Sequence, residues 1–145
     1  MSEHHHEHDE HCDCGCHDHD HGHHHAHVHG RDVDGIHIEH HMQDAACVVS
    51  GNTTLEGDYA ALRPRIAAAL EAVAAEITAQ GGIVGHIKAA AEALHTEMFS
   101  VTDVKAMTKT APTQTICLKM AAIVFAVDTE TVENLVEQTL RALRG

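Results

Sequence analysis

Imidazole is the commonest side chain at the start of this 145-residue sequence. Thirteen of the first 29 residues are histidine, and most stand beside Asp, Glu or another His. Neutral imidazole binds Zn, Ni, Cu and Co, and a pKa of about 6.5 keeps much of it neutral near pH 7. Many different sets of neighbouring histidines could bind an ion equally well, which predicts several exchangeable ions per chain. A catalytic metal site would instead need one fixed geometry with an open coordination position. The predicted imidazole ligands are His4, His5, His6, His8, His11, His17, His19, His21, His23, His24, His25, His27 and His29.

Three cysteines, Cys12, Cys14 and Cys16, interrupt the histidine run with C-x-C-x-C spacing. Thiolates are softer ligands than imidazole and favour Zn and Cu(I). Their closeness limits them to sharing one ion or forming a cluster, and the spacing differs from the C-x₂-C pair of zinc fingers. We therefore expect a nucleus of higher affinity within the histidine array.

A second group of histidines, His37, His40 and His41, follows the low-complexity segment. On a helix, His37 and His41 would lie four residues apart on one face, at a chelating spacing. On a strand they would also share a face, but about 13 Å apart and too far for one ion. Two interpretations stay open: an inner metal site formed by His37 and His41, or a continuation of the disordered arm.

The histidine-rich segment resembles the extensions of nickel accessory proteins such as urease and hydrogenase metallochaperones. It also resembles the histidine loops of zinc transporters and of metal-delivering GTPases. The resemblance covers residues 1–41, is compositional, and implies storage or delivery of Ni, Zn or Co. The sequence has no G-x-x-x-x-G-K-[ST] phosphate loop, which excludes the GTPase members of this group. The rest of the chain carries no such resemblance.

Net charge argues against two classes of partner. The chain carries a formal charge of −13, most of it in residues 1–41, and its only aromatic side chains are Tyr59, Phe99 and Phe125. An acidic chain without a basic patch that includes aromatic side chains is not expected to bind nucleic acid. The same negative charge disfavours binding to an anionic membrane surface.

The remaining composition predicts a cytoplasmic protein. No apolar segment typical of a secretory signal is visible, and the longest apolar run, residues 120–127, is far too short for a membrane span. The five cysteines are an odd number. We expect them to be reduced thiols rather than a disulfide framework.

Two regions with different roles are expected. Residues 1–35 are nearly devoid of apolar side chains that could offset the entropy of ordering, so we predict a disordered metal-binding tail there. Residues 36–145 have the composition of a single folded domain.

Two apolar stripes with helical spacing lie in the second region. The first is predicted to begin near Arg63, with Pro64 in its first turn, and to end at Gly81-Gly82 in a left-handed cap. The second is predicted to begin at Asp128 or Thr129, which would cap its first turn. The apolar residues of the two stripes are Leu62, Ile66, Leu70, Val73 and Ile77, and Val132, Leu135, Val136, Leu140 and Leu143.

Short apolar runs predict strands at residues 45–49, with an extension back to 36–38, and at 116–127. Residues 83–88 and 98–102 are predicted to be two arms of a hairpin, although the alanine-rich sequence between them prefers helix. A loop is predicted over residues 108–115, which include Pro112. The expected fold class is α+β: a small antiparallel sheet covered by two amphipathic helices, preceded by the disordered tail.

The domain itself offers weaker candidates for chemistry. His86 and His95 are its only histidines beyond His41, and their spacing does not favour joint chelation on either a helix or a hairpin. Cys47 and Cys117 lie in predicted strands, where a cysteine usually behaves as a small hydrophobe, although the two could meet across a sheet. No G-x-S-x-G, H-E-x-x-H or paired-carboxylate motif is present, so no enzyme activity is expected.

These observations predict a protein that binds, stores or delivers divalent ions through its tail, Ni or Zn first and Co or Cu next. The alternative is a metal-responsive regulator or accessory subunit whose domain binds a partner protein. The expected partners are the ions themselves and a metalloenzyme, GTPase or transporter that receives them. The domain could also associate with other copies of itself to form a homo-oligomer.

Overall fold

The computed structural model describes residues 28–101, 105–111 and 113–145. The predicted tail ligands from His4 to His27, including the three tail cysteines, lie outside these residues, as do Thr102 and Pro112. The described elements, in chain order, are β1 (His29–Val33), β2 (Ile36–Gln43), β3 (Ala46–Gly57), α1 (Tyr59–Ala79), β4 (Ile83–Leu94), β5 (Glu97–Val101), β6 (Ala106–Thr110), β7 (Gln114–Phe125) and α2 (Thr129–Arg144).

The predicted α+β class is confirmed. Five strands form an antiparallel sheet in the order β1-β2-β3-β7-β4, and β5 pairs with β6 in a separate two-stranded sheet. The last strand of the chain thus lies in the middle of the main sheet, between β3 and β4. Two tight turns join the first three strands, and Asp34, Gly35 and Asp44 have positive φ there, a conformation that Asp and Gly tolerate.

Alternation along the central strands creates the hydrophobic core. On β7 every second residue is buried, from Ile116 to Val124, while the intervening residues are partly or fully exposed. The same period of two runs along β3. The core residues of both helices belong to the same cluster; its fully or nearly fully buried members include Ile36, Ile38, Val49, Leu55, Val73, Ile77, Ile116, Leu118, Ala122, Val124, Val132, Val136 and Leu140.

Helix α1 begins four residues earlier than the sequence indicated. Asp58 is its N-cap, and the Asp58 carboxylate accepts a hydrogen bond from the backbone N–H of Ala60. Pro64 consequently lies inside the helix rather than in its first turn. The predicted C-terminus is confirmed, because Gly81 has a φ of 82° and donates to Thr78, while Gly82 donates to Ile77.

Helix α2 matches its prediction closely. Asp128 is the N-cap, and both the backbone N–H and the hydroxyl of Thr131 donate to its carboxylate. The hydroxyl hydrogen bond, followed by the backbone one, lowers the pKa of Asp128. The described helices include none long and apolar enough to cross a bilayer.

The predicted hairpin of residues 83–88 and 98–102 is wrong. β4 runs on through the alanine-rich stretch to Leu94 and pairs with β7, whereas β5 pairs with β6. Long-range pairing with β7 therefore overrides the local helix preference of alanine. The small side chains Ala89 and Ala91 pack against the core on the side where β4 contacts α1.

Two other sequence boundaries shift. Residues 36–49 form two separate strands joined by a turn at Asp44, and β1 pairs with β2 across the expected boundary at residue 35. Part of the expected loop at 108–115 belongs to β6 and β7. The C-terminal strand prediction, residues 116–127, is confirmed by β7.

α2 packs closely against the sheet at Gly51. A Cβ atom there would lie 2.7 Å from Leu140 Cδ1 and 2.9 Å from both Ile38 Cδ1 and Val136 Cγ1. We expect Gly51→Ala to destabilise the fold by about 1–3 kcal/mol, because a packed core resists an added methyl group. Denaturant unfolding measures this loss. Gly30→Ala is the matched control, since its Cβ would meet no atom closer than 3.5 Å; an equal loss in both variants would contradict the packing argument.

Candidate metal centre

β2 sorts its histidines onto two faces of the sheet. Ile36 and Ile38 point into the core, and His40 follows on the same side because strand side chains alternate. His37 and His41 therefore lie on the opposite side, which we call the outer face. The outer face is defined by His37, Glu39 and His41 of β2 and by their cross-strand neighbours.

Carboxylates surround His37 on the outer face. Its Nδ1 lies 2.8 Å from Asp32 Oδ1, and its Nε2 lies 3.7 Å from Glu39 Oε2. The hydrogen bond to Asp32 is the main reason that the pKa of His37 is raised, and the charges of Asp32 and Glu39 add to it. Both ring nitrogens of His37 therefore have a carboxylate oxygen within 3.7 Å.

The strand conformation also bears on joint chelation by His37 and His41. Both residues belong to one continuous, regularly paired strand opposite β3. Four residues of strand span about 13 Å. At this distance His37 and His41 cannot bind the same ion, so each would need other ligands.

His40 occupies a different environment on the helix side. Its Nδ1 lies 2.6 Å from Glu133 Oε1 of α2, and both side chains are largely shielded, at 25% and 15% exposure. His29 of β1 is directly opposite His40 in the register. The two imidazole rings stack, with centroids 5.2 Å apart and planes inclined by 22°.

A chain of ion pairs holds the β1–β2 hairpin against α2 beside these rings. Arg31 lies 2.7 Å from Glu137, which also pairs with Arg141, and Arg141 reaches Asp34 at 3.0 Å. The guanidinium of Arg144 donates to the backbone oxygen of Asp34. Single exposed pairs contribute little, but a network shared by one helix and one hairpin fixes their relative position.

The weaker candidates do not come together. His86 on β4 and His95 beyond its end are both exposed, and the contact of His95 is with Glu97 at 3.1 Å. Cys47 lies on the core side of β3, where its thiol donates to Thr129. Cys117 has the opposite orientation, since it alternates with the buried residues of β7. The two thiols thus face opposite sides of the sheet and do not meet.

Within residues 28–101, 105–111 and 113–145, no three His, Cys, Asp or Glu side chains form a ready-made metal-binding group. The sequence predicted His29 as a ligand but did not predict that it would lie beside His40, with Glu133 against the His40 ring. Part of this arrangement was visible in the sequence, because the alternation of Ile36, Ile38 and His40 places His40 on the core side of a strand. Glu133 is 93 residues away from His40, and nothing local connects them.

The comparisons with known proteins add no family to this geometry. No protein-family model matches the sequence, no curated protein matches it, and no solved structure matches the fold.

Proposed function

We propose that this protein binds, stores or delivers divalent transition ions, Ni or Zn first, through its N-terminal segment. The single observation that carries the proposal is the density of histidine there, with cysteine and carboxylate woven between. Imidazole suits these ions, and the acidic neighbours attract cations. Co and Cu are the next candidates. The protein acts as a binder rather than an enzyme, and its place is the cytoplasm, where its thiols would stay reduced.

The domain serves as the scaffold to which this metal-binding segment is attached. The segment leads into β1, the strand at one edge of the sheet. We further propose that α1 and α2 cover a single face of that sheet. Support comes from the shared cluster in which Val73 and Ile77 of α1, and Val136 and Leu140 of α2, are buried with alternate strand residues.

A metal-responsive regulator or accessory subunit is the second candidate. It is favoured by the β5–β6 hairpin, on which Met98, Phe99, Val101 and Met107 are all at least 60% exposed. The strand register places Met98 and Met107 on one face of this hairpin and Phe99 and Val101 on the other, and exposed apolar surface is typical of contacts with another protein. A metalloenzyme, a GTPase or transporter that accepts the ion, or a second copy of this chain would be the partner.

Native mass spectrometry with added Ni or Zn tests the primary proposal. The intact chain is expected to bind several ions, because many registers of the histidine run are equivalent. A chain in which the thirteen histidines up to His29 are changed to Ser is expected to retain at most one. If that variant kept most of the metal, the assignment to the N-terminal segment would be overturned.

A matched variant separates thiol from imidazole. Replacing Cys12, Cys14 and Cys16 by Ser should weaken the tightest Zn or Cu(I) event and spare the weaker Ni events. Stepwise removal of histidines distinguishes the two candidate functions. A storage protein would lose metal capacity in proportion to the histidines removed, whereas a regulator would lose its response to metal when one or two sites are removed.

A further inference from the structure

We propose that His29 and His40 form a discrete two-imidazole site for a divalent transition ion on the domain itself, with Glu133 holding the His40 ring in place. The proposal deepens the proposed function, on which it rests, by separating one fixed site from the exchangeable array of the N-terminal segment. It also moves the inner site from His37 and His41 to the other face of β2.

The contact between His40 and Glu133 is the first support. Protein ligands to metal commonly use one ring nitrogen for the ion and the other to donate a hydrogen bond to a carboxylate. Here Nδ1 lies 2.6 Å from Glu133 Oε1, which leaves Nε2 for an ion. The carboxylate is only 15% exposed, so it holds the ring in a fixed orientation.

The position of His29 is the second support. Residues directly opposite in an antiparallel pair have Cβ atoms about 4.5–5.5 Å apart, close enough for both side chains to reach one ion. His29 and His40 are such a pair, and their rings already stack at 5.2 Å. Because His29 is exposed, a rotation about its side-chain torsions can bring one of its nitrogens to the ion beside His40.

The surroundings set the class of ion. Two neutral nitrogen donors with a hydrogen-bonded carboxylate suit Ni or Zn, whereas Ca and Mg prefer oxygen ligands. The remaining coordination positions would be filled by water. His29 is the residue at which that segment meets the sheet, so an ion bound there would link the array to the folded domain.

Thermal unfolding of the full chain with and without saturating NiCl₂ tests the site. Ions held only by the N-terminal segment bind the unfolded chain as well and shift the midpoint little, whereas a site that exists only in the fold raises it. We expect a rise of roughly 5 °C in the unmodified chain. The rise should disappear in His29→Asn and in His40→Gln, each compared with its own metal-free midpoint.

His37→Gln is the matched control, because it removes an imidazole from the same strand but from the outer face. It should keep the full rise. Absence of a rise in the unmodified chain, its persistence in both His29→Asn and His40→Gln, or its loss in His37→Gln would overturn the site. Native mass spectrometry of the same samples distinguishes this failure from failure of the proposed function, which would appear as no bound Ni at all.

Discussion

Lowering the pH from 7 to 5 is expected to weaken Ni or Zn binding by roughly four orders of magnitude per ion. A ring with a pKa of about 6.5 is mostly neutral at pH 7 and only about 3% neutral at pH 5, so each ligand contributes a loss of about 25-fold. Three imidazoles on one ion multiply that factor. Competition dialysis at the two pH values measures the change.

The shifted pKa values of Asp128 and His37 predict no loss of their contributions to domain stability between pH 7 and pH 5. The pKa of Asp128 is lowered below 3.8, so its contribution to α2 is complete above that ordinary value and is lost only as the pH falls through the folded pKa. The pKa of His37 is raised above 6.5, so its pairing with Asp32 is fully present below 6.5 and is lost as the pH rises through the folded pKa. Unchanged metal affinity at pH 5 would assign binding to carboxylates or thiolates instead.

The second large effect is expected from Leu140→Ala, a change in the core. Leu140 is fully buried on α2 beside Gly51 of the central sheet. Truncation removes its methyl groups from a packed site and leaves a cavity, at a loss of about 2–5 kcal/mol. That is a large share of a total stability of about 5–15 kcal/mol, so the variant should unfold at a much lower denaturant concentration.

Gln138→Ala is the control for this prediction. Gln138 lies on the exposed side of the same helix, where a substitution usually changes stability by less than about 0.5 kcal/mol. Similar unfolding midpoints for the two variants would show that α2 does not pack through Leu140. Metal stoichiometry of the folded protein should be unaffected in both, because neither residue lies in the N-terminal segment or in the His29–His40 pair.

The elements that the sequence predicted well carry a strong local pattern. On α2, Val132, Val136, Leu140 and Leu143 repeat at helical spacing behind a capping Asp128, and all four are buried. β7 is rich in apolar and β-branched residues, and every second residue from Ile116 to Val124 belongs to the core. In both cases the pattern within one segment determines its conformation, and the partner only has to supply a matching surface.

The elements that the sequence predicted poorly depend on distant partners. The alanines of β4 prefer helix locally, but pairing with β7 and close contact with α1 require small side chains on an extended strand. The same reason hid the cluster at His40. Its significance arises only when α2 brings Glu133 over β2, and no periodicity near residue 40 records that contact.

The central position of β7 also affects how the chain folds. β3 and β4 are synthesised first, yet each pairs with β7, which follows them by roughly twenty residues or more. Until β7 emerges, both strands have unpaired edges, and closing such non-local pairings is slow. The histidines from His4 to His27, by contrast, come before β1 in the sequence, and the proposed binding of ions by them does not depend on the sheet. Under the proposed function, the N-terminal segment would bind metal during synthesis before the sheet exists, whereas the proposed His29–His40 site would form only with the fold.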